Sequence, residues 1–377
     1  EEAERYDFLS IFENTMHDES AKLQSSLGRV RSRRLNRIEY ENTLHDLLGV
    51  DIPIKDFLPD DPTQDGFSNI AESQQISHHL LQKYLEAIDL SLDEAFSRAQ
   101  HPSNPYSRTF SGEEVSWNPK TRKNGRGPHL YKGHAVSFLT GGNYQGRMAP
   151  TEVDESGWYG ITVRAKAHNA PPGRGVWTQI RSGVAAASAP SLFWVGSFEA
   201  REEPQDFTME AWIQAGHKLE MRPGDHTLGI ISTKLLGDRS VFEMDIPGVA
   251  MESLKMVRIH KGLDQDGLKK RLFDDLRFES GVLHSEEPSR DLERLMTRFA
   301  VFAFRRSVSA KEISPYIEFA RSRLNAGNSL KDALKSGYRA LLSSPRFLYF
   351  TENTGKLDDF SIASRLSYFL WSTMPDE

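Results

Sequence analysis

The sequence contains no cysteine in its 377 residues. That absence excludes disulfides, thiolate metal sites and covalent attachment of c-type haem within these residues. No apolar run approaches the ~18 residues that a membrane span needs, so we expect no membrane span. The first residues also lack the apolar h-region of a secretory signal, and we expect that any such signal was removed or never present.

Basic charge is scarce in the first part of the chain. Residues 1–105 carry 20 acidic and 10 basic side chains, whereas the remaining residues carry 33 and 37, and the formal net charge is −6. A nucleic-acid-binding protein usually has a basic patch or stripe, so we expect no nucleic-acid partner. Three common catalytic signatures are also missing: the Gly-x-Ser-x-Gly elbow, the Walker loop and the His-Glu-x-x-His helix. The sequence therefore gives no candidate for a catalytic residue.

The clearest positive signal is a β-rich block from about Phe110 to His260. In Trp158–Lys166 and in Phe207–Ile213, apolar and polar residues alternate with a period of two, which is typical of half-buried strands. Turn-forming residues separate these runs. The pattern predicts an α+β multidomain chain in which an antiparallel β-sandwich, jelly-roll-like, is flanked by all-α segments.

The flanking segments have helical periodicity and helix-capping residues. Capping signals such as Ser77 and the Ser309–Glu312 capping box mark several helix starts. We expect Leu81, Leu85 and Ile88 to be buried where the first helices pack on the C-terminal ones. The predicted helices cover residues 34–48, 77–98, 289–304, 310–325, 330–343 and 359–371.

The segment between the first two predicted helices has the spacing of a calcium loop. Oxygen ligands would come from Asp61, Asp65, Asn69 and Glu72. Against a calcium site, Pro62 interrupts the loop and no helical run leads into it. We interpret the segment as an Asp/Gly turn that Phe67 anchors by packing on the helices, and we predict no metal site.

Several helical motifs resemble a planctomycete family of exported modular proteins of unknown function. The motifs are Arg33-Arg-Leu-Asn-Arg-Ile-Glu-Tyr-Glu-Asn-Thr-Leu-His-Asp-Leu-Leu-Gly-Val50, Leu58-Pro-Asp-Asp61, Asp65-Gly-Phe-Ser-Asn69, Phe299–Glu312, Ala340–Leu348 and Ala363–Glu377. In that family the first module often accompanies a cytochrome c domain. The resemblance implies a periplasmic or extracellular protein, and haem, if used, would lie in a neighbouring domain. It brings no assigned catalytic residues.

These patterns predict four regions. Residues 1–104 form an N-terminal helical module, residues 105–262 a carbohydrate-binding-like β-sandwich, and residues 263–356 a C-terminal helical module. Residues 357–377 are expected to begin a further helical module that is truncated here.

The β-rich block holds five of the six tryptophans of the chain. Trp158 and Trp212 fall in the polar phase of their strands, where an indole can stack on a sugar ring. The alternative is that strand tryptophans fill the rim and core of the sandwich. The candidate ligand-binding residues are Trp158, Trp177, Trp194, Trp212 and Arg164, with Gln179 as a further polar neighbour.

Two functional hypotheses follow. In the first, the chain is a non-catalytic module of an exported protein, whose β-sandwich binds carbohydrate or another cell-surface polymer. In the second, it is a segment of a larger redox or hydrolytic enzyme acting on polysaccharide, with the chemistry in modules outside this chain. Exposed tryptophans on one face of the sandwich would favour binding, whereas converging His, Asp and Glu side chains in a pocket would favour an enzyme.

Overall fold

The structure is a computed structural model, and it describes residues 12–19, 22, 32–63, 66–70, 76–101, 106–116, 127–139, 146–184, 191–228, 230, 242, 244–351 and 357–376. The chain divides into two compact units. Unit 1 consists of Glu1–Pro102 and Gly262–Glu377, and unit 2 of Ser103–Lys261. Both helices and antiparallel sheets are present, as the sequence predicts.

The helices are numbered in chain order. They are α1 (Arg37–Leu48), α2 (His78–Gln100), α3 (Gly112–Val115), α4 (Gln265–Phe273), α5 (Pro288–Phe304), α6 (Ala310–Asn325), α7 (Leu330–Leu342), α8 (Pro345–Leu348) and α9 (Asp359–Trp371). Short 3-10 turns lie at Ile54–Asp56, Ala149–Thr151 and His226–Leu228, and residues 12–19 and 22 are also helical. Among the described residues, no helix is long and apolar enough to cross a membrane.

The six helices predicted from the sequence are confirmed, with ends that differ by at most three residues. Their ends are set by local chemistry. Asn36 and Glu39 form a capping box at the start of α1, and Ser309 and Glu312 form one at the start of α6. Gly49 ends α1 with a left-handed backbone (φ 72°), a conformation that glycine adopts without steric cost.

Two expectations about apolar residues in unit 1 are wrong. Leu81 is 37% exposed, because α2 buries a face that begins at Leu80 and continues through small residues such as Ala87 and Ser91. Leu85 is only half-buried, whereas Ile88 is buried as expected.

The prediction that Phe67 anchors its turn is also wrong, because Phe67 is 63% exposed. A polar contact connects the described part of this loop to the start of α1 instead: Asn36 Nδ2 donates to Ser68 Oγ at 3.4 Å. The left-handed Gly66 (φ 83°) precedes Phe67 in this turn.

The strands are also numbered in chain order. They are β1 (Ser32–Arg34), β2 (Ser107–Ser111), β3 (His129–Tyr131), β4 (His134–Phe138), β5 (Arg147–Met148), β6 (Gly157–His168), β7 (Val176–Gly183), β8 (Phe193–Ala200), β9 (Gln205–Ile213), β10 (Lys218–Pro223), β11 (Gly248–Ile259), β12 (Arg277–Glu279), β13 (Val282–His284) and β14 (Tyr349–Thr351). In unit 1, the antiparallel pairs are β1 with β14 and β12 with β13.

Unit 2 is built on two antiparallel sheets. The smaller sheet has the order β5-β10-β7-β8, and the larger has the order β3-β4-β11-β6-β9, with β2 also paired to β11. One apolar core contains inward side chains from both sheets, for example Ile180 and Met221 from the smaller and Ile161 and Leu254 from the larger. The two sheets therefore pack face to face, and each also has an outer face.

Candidate functional site

The outer face of the smaller sheet displays Trp177 beside polar side chains. Along β7, burial alternates, and Val176, Thr178 and Ile180 point into the core. The residues between them, Trp177, Gln179 and Arg181, therefore point away from the core. Trp177 is 52% exposed, so one large part of its indole is accessible to solvent.

Trp194 on β8 reaches this same outer face because of a β-bulge. The register pairs Ile180 with Gly196 but Arg181 with Trp194, which leaves Val195 as the extra residue. Val195 is buried in the core, and the bulge shifts the alternation by one residue. Without the bulge, Trp194 would point inward, as Gly196 does. Trp194 instead points outward, and 62% of its surface is exposed.

We call the outward side of β7, β8 and β10 that carries Trp177, Gln179, Arg181, Trp194, Arg222 and the buried Glu220 the tryptophan face. Trp194 lies opposite Arg181, four residues along β7 from Trp177, so the two tryptophan Cα atoms are about 14 Å apart at the usual strand rise and spacing. Gln179 lies between them on β7. A Cβ at Gly224 would lie 2.3 Å from Gln179 Nε2, so glycine at this position leaves room for the amide.

A buried ion pair forms one side of the tryptophan face. Arg181 Nε donates to Glu220 Oε2 at 2.8 Å, and Glu220 is fully buried. Burial raises the pKa of Glu220, and the nearby charge of Arg181 opposes that shift only in part. Burial likewise lowers the pKa of Arg222, against the opposing attraction of Glu220. The pair holds the Arg181 guanidinium at a defined place between Gln179 and Trp194.

Two glutamates lie at the tryptophan face. Glu199 is paired with Trp177, and Glu220 is paired with Arg181. Glu199 accepts hydrogen bonds from Arg201 and from the Gly175 amide, and Glu220 accepts one from Arg181. Both carboxylates are therefore engaged by groups of the protein itself.

Trp158 and Trp212 lie on the outer face of the larger sheet, away from the tryptophan face. They are paired across β6 and β9, with ring centroids 6.2 Å apart and an interplanar angle of 81°. The ammonium group of Lys261 lies 3.8 Å from the Trp158 ring centroid and 3.0 Å from a Glu210 oxygen. Each indole is therefore partly covered by protein groups, and a flat sugar ring has less access to it.

Arg164 also points outward from the larger sheet, on β6. Its guanidinium donates to Glu252 Oε2 at 3.0 Å and to Asp206 Oδ1 at 3.2 Å. Glu252 is the bulged residue of β11 and also lies 3.3 Å from His134 Nε2. The structure thus places Arg164 with two carboxylates and apart from Trp177 and Trp194.

The calcium-loop candidates are only partly within the described residues, since Asp65 and Glu72 lie outside them. The side chain of Asp61 is 6% exposed and accepts hydrogen bonds from Arg34 Nη2 and the Arg37 amide, both at 2.6 Å. Asn69 is exposed. No group of three or more His, Asp or Glu side chains in the described part of the chain is arranged around a common metal position.

The cluster of Arg181, Glu220 and Arg222 was not predicted from the sequence. A signal for part of it was present, because the alternation in Lys218–Pro223 puts Glu220 and Arg222 on one face of a strand. Their proximity to Arg181 depends on the pairing of β10 with β7, which periodicity within one strand cannot show. Trp117, the fifth tryptophan of the β-rich block, lies outside the described residues.

Three segments of unit 1 match family models of unknown function. Residues 33–97 match PSD3, a protein of unknown function (DUF1587), and contain α1 and most of β1 and α2. Residues 291–352 match PSD5 (DUF1595), and residues 357–377, which contain α9, match PSD4 (DUF1592). These matches agree with the resemblance of the helical motifs to modules of unknown function.

Comparison with solved structures gives only distant likenesses. One is "Structure of Eiger TNF from S. frugiperda", at 12% identity, covering 42% of this chain and 88% of that chain, with a TM-score of 0.19. Another is "BiXyn10A CBM1 APO", at 12% identity, covering 42% of this chain and 93% of that chain, with a TM-score of 0.22. TM-scores this low support no conclusion about fold or function. No curated protein matches the chain.

Proposed function

We propose that unit 2 is a carbohydrate-binding module and that the tryptophan face is its binding surface. The observation that supports this most is that Trp177 and Trp194 are both about half or more exposed on one face. Sugar rings have apolar C–H faces, so an indole gains contact area on them without burying a charge. The spacing of about 14 Å between the two tryptophans suits a chain of several sugars better than a single sugar.

The polar groups between the indoles would orient the sugar chain. Gln179 offers an amide, and Arg181 offers N–H donors held in place by the buried Glu220. Fixed donors and acceptors cost less conformational entropy on binding than mobile ones. A shallow surface covers little of its ligand, so we expect dissociation constants in the micromolar to millimolar range.

The same proposal includes the finer features expected from the sequence. One of these features is that the strands of unit 2 are connected as in a jelly roll. In support, many neighbouring strands of its two antiparallel sheets are not consecutive in sequence. Export to the periplasm or cell exterior, planctomycete origin and association with a cytochrome c domain rest on the resemblance of the helical motifs. A surface polysaccharide would be a ligand consistent with that location.

Affinity electrophoresis of the full chain in gels containing soluble neutral or acidic polysaccharides tests the proposal. At least one polysaccharide should slow the wild-type chain. Trp177→Ala and Trp194→Ala should each weaken that retardation about ten-fold, which corresponds to ~1.4 kcal/mol of binding free energy. Trp371→Ala is the control, because Trp371 is also exposed but belongs to unit 1. Retardation by none of the polysaccharides, or equal loss in the control, would contradict the proposal.

A further inference from the structure

The outward side of the smaller sheet carries a row of four side chains, one from each strand. The register pairs Arg147 of β5 with Glu220 of β10, and Glu220 with Arg181 of β7. Arg181 is in turn paired with Trp194 of β8. The Cα atoms of such cross-strand neighbours lie about 5 Å apart. One carboxylate therefore lies between two arginines, and an exposed indole follows directly in the same row.

Arg222 adds a third arginine beside this row. It lies two residues after Glu220 on β10, so both side chains point to the same side of the sheet. Burial lowers the pKa of Arg222, the attraction of Glu220 opposes that shift, and the repulsion from Arg181 adds to it. We call Arg147, Arg181, Arg222 and Glu220 the arginine cluster. It contains three positive charges and one negative charge.

The other charged side chains of these four strands are balanced by partners. Lys218 on β10 forms an ion pair with Glu152, and Glu199 on β8 forms one with Arg201. Within the four strands, the excess of positive charge therefore comes from the arginine cluster. Arg147 and Arg222 each take part in a further interaction, and what they add for a ligand is charge.

This positive charge is local, because the chain as a whole is acidic. Its formal net charge is −6. The segments 139–146 and 184–192, which adjoin β5, β7 and β8 in the sequence, contain no charged residue. A polyanion is repelled by an acidic chain at long range, so its binding would require a surface with the opposite local charge. The arginine cluster is such a surface.

Arg181 is the arginine best placed to contact a ligand. Its Nε donates to Glu220 Oε2 at 2.8 Å, and its Nη2 lies 2.5 Å from the same oxygen. In the part of the chain that the structure describes, Glu220 is the partner of these contacts, and 20% of the Arg181 side chain stays exposed. A guanidinium has five N–H donors, so Arg181 retains donors for a second acceptor beside the Trp194 indole.

A sugar chain with anionic groups would use both parts of this surface. An indole contacts the apolar C–H face of a sugar ring, and a guanidinium binds a carboxylate or sulfate through charge-assisted hydrogen bonds. A neutral sugar would use the indole but would bring no counter-charge to the three arginines. Charge complementarity therefore favours an acidic sugar chain over a neutral one.

We propose that the tryptophan face selects sugar chains that carry carboxylate or sulfate groups. One sugar ring stacks on Trp194 while its anionic group accepts hydrogen bonds from Arg181. Arg147 and Arg222 add attraction at longer range. This inference rests on the proposed carbohydrate binding by unit 2, and it adds the chemical class of the sugar.

Affinity electrophoresis of the full chain in two matched pairs of gels tests the selection. The first pair compares polygalacturonate with the same polymer after methyl esterification, which removes the charge and keeps the backbone. The second pair compares dextran sulfate with dextran. The acidic member of at least one pair should bind about ten-fold tighter than its uncharged partner. The pair that responds distinguishes carboxylate from sulfate, and about 0.5 M NaCl should remove most of the difference.

Variants of the arginine cluster locate the selection. Arg147→Gln and Arg222→Gln each remove one charge and keep the Arg181–Glu220 pair. Each should weaken binding of the acidic member about five-fold, the effect of one unit charge at contact distance in water. Arg181→Lys keeps the charge beside Glu220 but loses the planar guanidinium, and it should weaken the same binding.

Controls separate charge from stacking. Arg108→Gln is the matched control, because Arg108 is half exposed on β2 of the larger sheet, and it should bind as the wild type does. Trp194→Ala should weaken binding of both members of a pair, whereas the arginine variants should act mainly on the acidic member. Circular dichroism melts verify that each variant is folded.

The possible failures are distinguishable. If acidic and uncharged members bind equally and Trp194→Ala weakens both, carbohydrate binding stands and the selection for charge is wrong. Retardation by no polysaccharide would contradict both proposals. An equal loss in Arg108→Gln and in the cluster variants would show a general attraction not centred on the arginine cluster. Single-stranded DNA that binds more tightly than the acidic polysaccharides, with the same losses in the variants, would identify a nucleic acid as the ligand instead.

Discussion

Trp194 is the register partner of Arg181, and it has that position because Val195 is bulged out of the β7–β8 ladder. One extra residue therefore decides whether the indole points into the core or toward solvent. The same pairing places Trp194 next to the guanidinium that Glu220 holds from the other side. Through this pairing, the tryptophan face combines an accessible ring with a fixed hydrogen-bond donor.

Arg181→Gln should destabilise unit 2 by about 3 kcal/mol near pH 7, because it leaves the fully buried Glu220 without its charged partner. The loss should be smaller near pH 4.5. Burial raises the pKa of Glu220 above its ordinary 4.5, so the cost of the ionised carboxylate is absent at low pH and appears as the pH rises through the folded-state pKa.

Urea unfolding at the two pH values measures this effect. Arg201→Gln is the control, since Arg201 is 67% exposed at its side chain and pairs with Glu199 at the surface. Its expected change is below about 1 kcal/mol at both pH values. Equal losses for the two variants would show that the buried pair has no special role.

The helices of this protein were predictable because helix signals are local. Apolar spacing and capping residues such as Ser309 lie within one or two turns of the helix they define. Burial of individual residues was harder to predict. Apolar spacing favours Leu81 for the buried side of α2, but small residues such as Ala87 and Ser91 define the side on which other elements pack closely.

The candidate binding surface was only partly predictable for a related reason. Alternation correctly puts Trp158 and Trp212 on the outer side of their strands, but it cannot show that the two rings pack on each other. The division of the tryptophans between two sheets depends on strand pairing, which connects residues far apart in sequence. The bulge at Val195 turns Trp194 outward, and the alternation of apolar and polar residues in the sequence does not reveal it.

Asp61→Asn should destabilise unit 1 by about 3–5 kcal/mol, because Arg34 would lose its carboxylate while 99% of its surface is buried. The Arg37 amide at the start of α1 would also lose a charged acceptor. Asp60→Asn is a matched control at the neighbouring position, where the side chain is 85% exposed. Thermal unfolding of the two variants should differ clearly, and similar small shifts would contradict a structural role for Asp61.

Glu312→Gln should lower stability by about 1 kcal/mol near pH 7, the usual value of a helix-capping interaction. The Arg306 guanidinium and the Ser309 amide lower the pKa of Glu312 to about 2. A lowered carboxyl pKa stabilises the fold above the ordinary value of 4.5, and the stabilisation is lost as the pH falls toward 2. The difference from wild type in urea unfolding should therefore shrink over this range, and a difference that stays constant from pH 7 to low pH would contradict this account of the capping box.

Carbohydrate binding by unit 2, as proposed here, requires that sugar chains contact Trp177 and Trp194 and not the tryptophans of the opposite sheet. Labelling tryptophan with ¹⁵N gives one indole signal for each of the six tryptophans, and single Trp→Phe variants assign them. A soluble oligosaccharide prepared from a polysaccharide that retards the chain is then titrated into the labelled protein. The Trp177 and Trp194 signals should shift together with one dissociation constant, while those of Trp158 and Trp212 stay in place. Shifts confined to Trp158 and Trp212, or no shift with any oligosaccharide, would contradict it.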